Sequence, residues 1–72
     1  MKQYELIQEQ YNTCSGRPVT TVREIEADDP DAFVRQAMPP HSTCAKTVLD
    51  NGSVVYDVVS SGIRTKYTLT EL

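Results

Sequence analysis

The sequence predicts an α+β fold, a single small domain over residues 1–72 in the order ββαβββ, with an antiparallel sheet and one helix packed on one face. Three observations carry this. Thr43 to Leu72 reads as two consecutive hairpins turning at Asn51-Gly52 and Ser61-Gly62. Asp28-Asp29-Pro30-Asp31 opens a short helix, and the preceding residues hold a β-branched run after a turn-forming cluster.

Residues 2–12 (KQYELIQEQYN) alternate imperfectly, with Tyr4 and Leu6 on one side and Ile7 and Tyr11 on the other, so helix and strand are both arguable. The cluster NTCSGRP then turns the chain, and Val19 to Ala27 (VTTVREIEA) is rich in β-branched residues. A hairpin of two longer strands is the economical reading. Val22 and Ile25 have opposite parity, which predicts a bulge or a two-sided strand.

Asp29 suits a helix cap, Pro30 the first helical position, and the neighbouring carboxylates the positive end of the helix dipole. Phe33, Val34, Ala37 and Met38 form an apolar stripe, and Pro39-Pro40 ends the helix because proline disfavours the α region for the residue before it. A helix this short must lie on the sheet.

Asn-Gly is the strongest short hairpin signal, since both central residues of a type I′ turn need positive φ. A two-residue turn at Asn51-Gly52 pairs Val48 with Val55, Thr47 with Tyr56 and Lys46 with Asp57. A turn at Ser61-Gly62 pairs Asp57 with Lys66, Tyr56 with Tyr67 and Val54 with Leu69. The core face then holds Ala45, Thr47, Leu49, Val54, Tyr56, Val58, Ile63, Thr65, Tyr67 and Leu69. The open face holds Cys44, Lys46, Val48, Val55, Asp57, Val59, Arg64, Lys66 and Thr68, with Asp57 between Lys46 and Lys66 in a charge ladder worth ~0.2–1 kcal/mol per pair.

A chain of 72 residues buries only about 60% of its extended surface, so sheer core size cannot stabilise it. The hydrophobic fraction of 39% and charged fraction of 24% are ordinary for a soluble globular chain. No apolar run approaches the length of a membrane span, and MKQYELIQEQ has no signal-peptide core, so a cytoplasmic location is expected. A net charge of −3 disfavours a general nucleic-acid binder and suits a protein partner with a basic surface.

No residue pattern calls for an enzyme, a cofactor or a metal. Cys14, His41 and Cys44 are the only soft ligands, one short of a structural zinc set, and a Cys/His nucleophile pair lacks an orienting third group. Two cysteines without a secretion signal read as reduced thiols, although one bridge between them stays open. Lys46, Arg64, Lys66, Arg17 and Arg23, interleaved with Tyr4 and Tyr11, would make a stacking platform for single-stranded nucleic acid. Asp57 in its middle argues for a charge-balanced solvated face instead.

Two candidate contact surfaces remain. The acidic segment Glu24, Glu26, Asp28, Asp29 and Asp31 could occupy a basic groove, although capping already accounts for its aspartates. The open face around Val48, Val55, Asp57, Val59 and Lys66 gathers valines that the helix should not cover, the mark of an interaction site or a homodimer.

Two strands, a helix behind a D-D-P-D cap, the run Thr47 to Tyr56 (TVLDNGSVVY) and a final strand resemble the small accessory proteins of bacteriophages and integrative elements, some anti-CRISPR proteins among them. The resemblance covers most of the chain as layout and residues 47–56 as sequence. It implies a stoichiometric binder acting by occlusion and transfers no functional residue. The expectation is a non-enzymatic protein-binding module, with nucleic-acid binding through the open face as the alternative.

Overall fold

The computed structural model describes residues 1–12 and 16–72. Five strands and a helix follow in the expected order: β1 (Lys2–Asn12), β2 (Val19–Ala27), α1 (Pro30–Ala37), β3 (Thr43–Val48), β4 (Val54–Ser60) and β5 (Ile63–Glu71). The strands form one open antiparallel sheet in the order β2-β1-β5-β4-β3. The first and last strands are therefore neighbours, and the two hairpin units join through β1 and β5.

Residues 2–12 are a strand, and their uneven alternation is that of a strand buried mainly on one side. Tyr4 and Leu6 are buried toward the helix, whereas Ile7 and Tyr11 take the other face. The opposite parity of Val22 and Ile25 reflects a two-sided strand, because β1–β2 register runs unbroken from Lys2↔Ala27 to Gln10↔Val19.

The core lies between α1 and one sheet face. Tyr4, Leu6, Ala27, Val34, Tyr56, Val58, Tyr67 and Leu69 form it, with Ile25, Phe33, Met38 and Val54 against its rim. Leu6 opposes Leu69, which opposes Val54, and Tyr67 opposes Tyr56, so side chains directly across three strands pack as rows. Leu6 is 0% exposed and Val34 2%. Asp29 caps α1 by accepting from the Ala32 N–H at 2.8 Å, Pro30 occupies the first turn, and Met38 is extended, as the following proline requires. Ala37 is exposed, so the working stripe is Phe33, Val34 and Met38.

The Ser61-Gly62 hairpin has the expected register, Ser60↔Ile63 through Val54↔Leu69, with positive φ at both turn residues (49° and 81°). The Asn51-Gly52 hairpin is shifted by one residue. Val48 pairs with Val54, Thr47 with Val55, Lys46 with Tyr56 and Ala45 with Asp57. The loop holds three residues, Asp50 to Gly52: the Gly52 N–H donates to the Leu49 carbonyl at 3.0 Å and the Leu49 N–H to the Ser53 carbonyl at 2.8 Å. Only Gly52 (φ 90°) has positive φ there, the geometry of a tight turn closed by a glycine bulge. Asn51 Oδ1 instead accepts from the Ser53 N–H at 2.9 Å.

The shift reverses every β3 side chain. Cys44, Lys46 and Val48 join the helix side, while Ala45 and Thr47 join the open face and Leu49 sits in the turn. Leu6→Ala is expected to cost about 2–5 kcal/mol in chemical denaturation, against less than about 0.5 kcal/mol for Val22→Ala at its 61% exposed site. Gly52→Ala forces a side chain onto positive φ and is expected to cost about 1–2 kcal/mol, although space around it is free.

Candidate interaction surface

Alternation along five paired strands defines the face opposite α1. One row runs Val22–Ile7–Thr68–Val55–Thr47 across the whole sheet. Its members are β-branched, and Val55, held between Thr47 and Thr68, is only 8% exposed. The next row runs Thr20–Glu9–Lys66–Asp57–Ala45. Beyond it lie Tyr11, Arg64, Val59 and Thr43, and on the other side Glu24, Glu5 and Thr70.

The charges of this face are arranged differently from the expected ladder. Lys66 stands in register between Glu9 and Asp57, and Lys46 is absent from the face. Arg64 binds Asp57 Oδ1 through Nη2 at 3.0 Å and Nε at 3.2 Å. The Tyr11 hydroxyl donates to Glu9 Oε2 at 2.7 Å, and that bond raises the Tyr11 pKa. Glu5 and Glu24 oppose each other directly, a like-charge pair that disfavours the sheet locally and makes this end acidic.

Of the valines expected together, Val55 and Val59 share the open face, but Val48, 63% exposed, lies on the opposite one beside Val54. The acidic segment divides as well. Glu24 and Glu26 face outward from the open side of β2, Asp28 is exposed in the turn, Asp29 is spent on the cap, and Asp31 turns to the sheet. The basic platform is not assembled: Arg23 pairs beside Leu6 and Tyr4 is buried, both on the helix side, and Lys46 joins them there. The place of Ile7, Val22, Glu5 and Glu9 beside Thr68 and Lys66 on this face was not legible, because it depends on which strand neighbours β1.

On the helix side, Asp31 accepts a hydrogen bond from the Tyr56 hydroxyl and forms an ion pair with Lys46 Nζ at 3.1 Å. These bonds, the Tyr56 one foremost, hold its carboxyl below the usual carboxylate range. Burial, then the bond to Asp31, pushes the Tyr56 phenol up. Lys46 Nζ also lies 6.0 Å from the Tyr56 ring centroid, within cation–π reach. With Arg35, Met38 and Cys44 these groups line a shallow groove, but Asp31, Lys46 and Tyr56 satisfy one another, so the groove reads as a clamp fastening α1 to β3 and β4.

Cys14 lies outside the described residues. Cys44 is an exposed free thiol on β3, and His41 is exposed at φ 63° in the turn after α1. Among the described residues no three His, Cys, Asp or Glu side chains converge on a metal position, and no helix is long and apolar enough to cross a membrane. Compared with known proteins, the chain matches no family model, no curated protein and no solved structure.

Because the folded-state pKa of Asp31 is depressed, its contribution to stability is present above the ordinary carboxylate pKa and is lost as pH falls through the depressed value. Asp31→Asn is expected to cost about 0.5–1 kcal/mol at neutral pH, the carboxylate being 43% exposed and screened by solvent. In denaturation titrations the gap from the parent should close only below the usual carboxylate range.

Proposed function

We propose that this chain is a non-enzymatic protein-binding module whose contact surface is the sheet face opposite α1. The row Val22–Ile7–Thr68–Val55–Thr47 carries this reading: it spans all five strands, and among the described residues no helix lies over it. A β-branched row bordered by charge on both sides suits a partner that presents an apolar ridge, with basic groups at the Glu5/Glu24/Glu26 end. Such a module works by occupying its partner's surface, the role of an accessory or inhibitory protein of a mobile element.

Nucleic-acid binding is the weaker reading. Arg64 is paired with Asp57 and Lys66 stands in register between Glu9 and Asp57, so phosphate would have to displace a bound carboxylate from Arg64 and approach Lys66 between two like charges.

Affinity capture with the tagged chain from bacterial lysate, with and without nuclease, tests the proposal when four variants accompany the parent. Thr68→Arg and Val59→Glu alter the open face, Asp28→Lys the acidic turn, and Val48→Glu the opposite face as a control. A nuclease-resistant protein partner should be lost by the first two, weakened by the third and retained by the fourth. Retention by all four, or recovery that vanishes with nuclease, contradicts the assignment.

A further inference from the structure

Among the described residues the sheet ends at β2, whose outward backbone groups pair with no strand, and the direction of those groups follows from one bond. The Leu72 N–H donates to the Gln3 carbonyl at 2.9 Å, so the backbone groups of Gln3 turn toward β5. Alternation then turns those of Tyr4, Leu6, Gln8 and Gln10 toward β2, where their partners are Ile25, Arg23, Thr21 and Val19. The N–H and C=O groups of Thr20, Val22, Glu24 and Glu26 consequently point outward from the edge.

Edge strands usually carry devices against pairing: shortness, lysine, proline or a bulge. Val19–Ala27 is nine residues long with no lysine, proline or bulge; its charges are Arg23, Glu24 and Glu26, and its side chains are exposed up to Glu26 except for a half-buried Ile25. The other edge, β3, has six residues with Lys46 near its centre.

We propose that two copies of this chain pair antiparallel through β2 about a twofold axis at Val22, joining two five-stranded sheets into one of ten. Charge selects this register. Centring on Arg23 opposes two guanidinium groups, and centring on Glu24 opposes two carboxylates. Centring on Thr21 shortens the overlap and sets Arg23 against Val19. Centring on Val22 opposes valine to valine, Ile25 to Val19 and Glu24 to Thr20, with no like-charge pair directly opposite.

β2 is also polarised along its length. Arg17 precedes it, whereas Glu24, Glu26 and Asp28 crowd its far end. Antiparallel pairing brings the Arg17 of one copy opposite Ala27 of the other, between Glu26 and Asp28. Both helices then lie on the same side, and the two Val22–Ile7 rows meet end to end across the axis. The pairing stands independently of the proposed binding function.

Sedimentation equilibrium of the full chain up to ~1 mM tests this, a Kd above that being negligible for a specific contact. The expected result is a monomer–dimer equilibrium reaching twice the 8.1 kDa chain mass. Val22→Lys, at an exposed position, should weaken it about tenfold or more, since it opposes two ammonium groups, while circular dichroism stays that of the parent. With Cys14→Ser and Cys44→Ser in place, Val22→Cys should oxidise to a covalent dimer and Glu24→Cys should not, since only the first brings like positions within disulfide reach. A monomer at every concentration overturns the proposal. So does a dimer indifferent to Val22→Lys, or cross-linking through Glu24→Cys in place of Val22→Cys.

Discussion

Among the described residues, one eight-residue helix is all there is to cover a five-stranded sheet, and the two faces divide accordingly. Apolar burial stabilises the fold in proportion to area, so the side under α1 collects Leu6, Val34, Tyr56, Tyr67 and Leu69, and stability concentrates there. The helix is too short to form alone. It is held by Val34 in the core, by the Asp29 cap, and by Asp31, which ties it to Tyr56 and Lys46 on two strands. The other face is left to pairs along the strands, and what it carries is available to something else.

Strand alternation turns that division into an assignment of every residue, and a three-residue loop decides it for β3. Had the turn at Asn51-Gly52 been two residues long, Lys46 would stand beside Asp57 on the open face and could not reach Asp31. With Asp50 to Gly52 as the loop, Lys46 faces the helix and completes the clamp, while Ala45 and Thr47, small and β-branched, line the open face. The bulged loop that Asp50-Asn51-Gly52 allows and the half-exposed ion pair joining Lys46 to Asp31 thus agree on the same register. Agreement between levels of this kind is what lets a small chain hold one structure.

The element order and the helix ends were legible because their signals are local: the D-D-P-D cap, the double proline and Ser61-Gly62, whose two positive-φ positions fix a single register. Asn51-Gly52 was ambiguous in physical terms. Glycine at the second turn position suits a two-residue loop and glycine at the third suits a bulged one, and Asp50-Asn51-Gly52 satisfies both descriptions. Reading the shorter loop placed Val48 with Val55 and Val59, and that cluster does not form. Glu9, Ile7 and Val22 were invisible as surface partners for a different reason. Their position across from Lys66 and Thr68 depends on β1 lying against β5, a pairing between the two ends of the chain that no local pattern specifies.

The proposed contact surface and the helix clamp both presuppose this assignment of side chains to faces. Cross-strand Hα–Hα nuclear Overhauser effects between β3 and β4 read it most directly, since non-hydrogen-bonded partners bring their α carbons to about 4.5 Å. The Leu49–Ser53 bond makes Lys46↔Tyr56 and Val48↔Val54 such partners, so strong effects are expected between those pairs. Strong effects between Thr47 and Tyr56 and between Leu49 and Val54 would instead establish the two-residue turn. Lys46 would then belong to the open face, and the division of the molecule described above would be wrong.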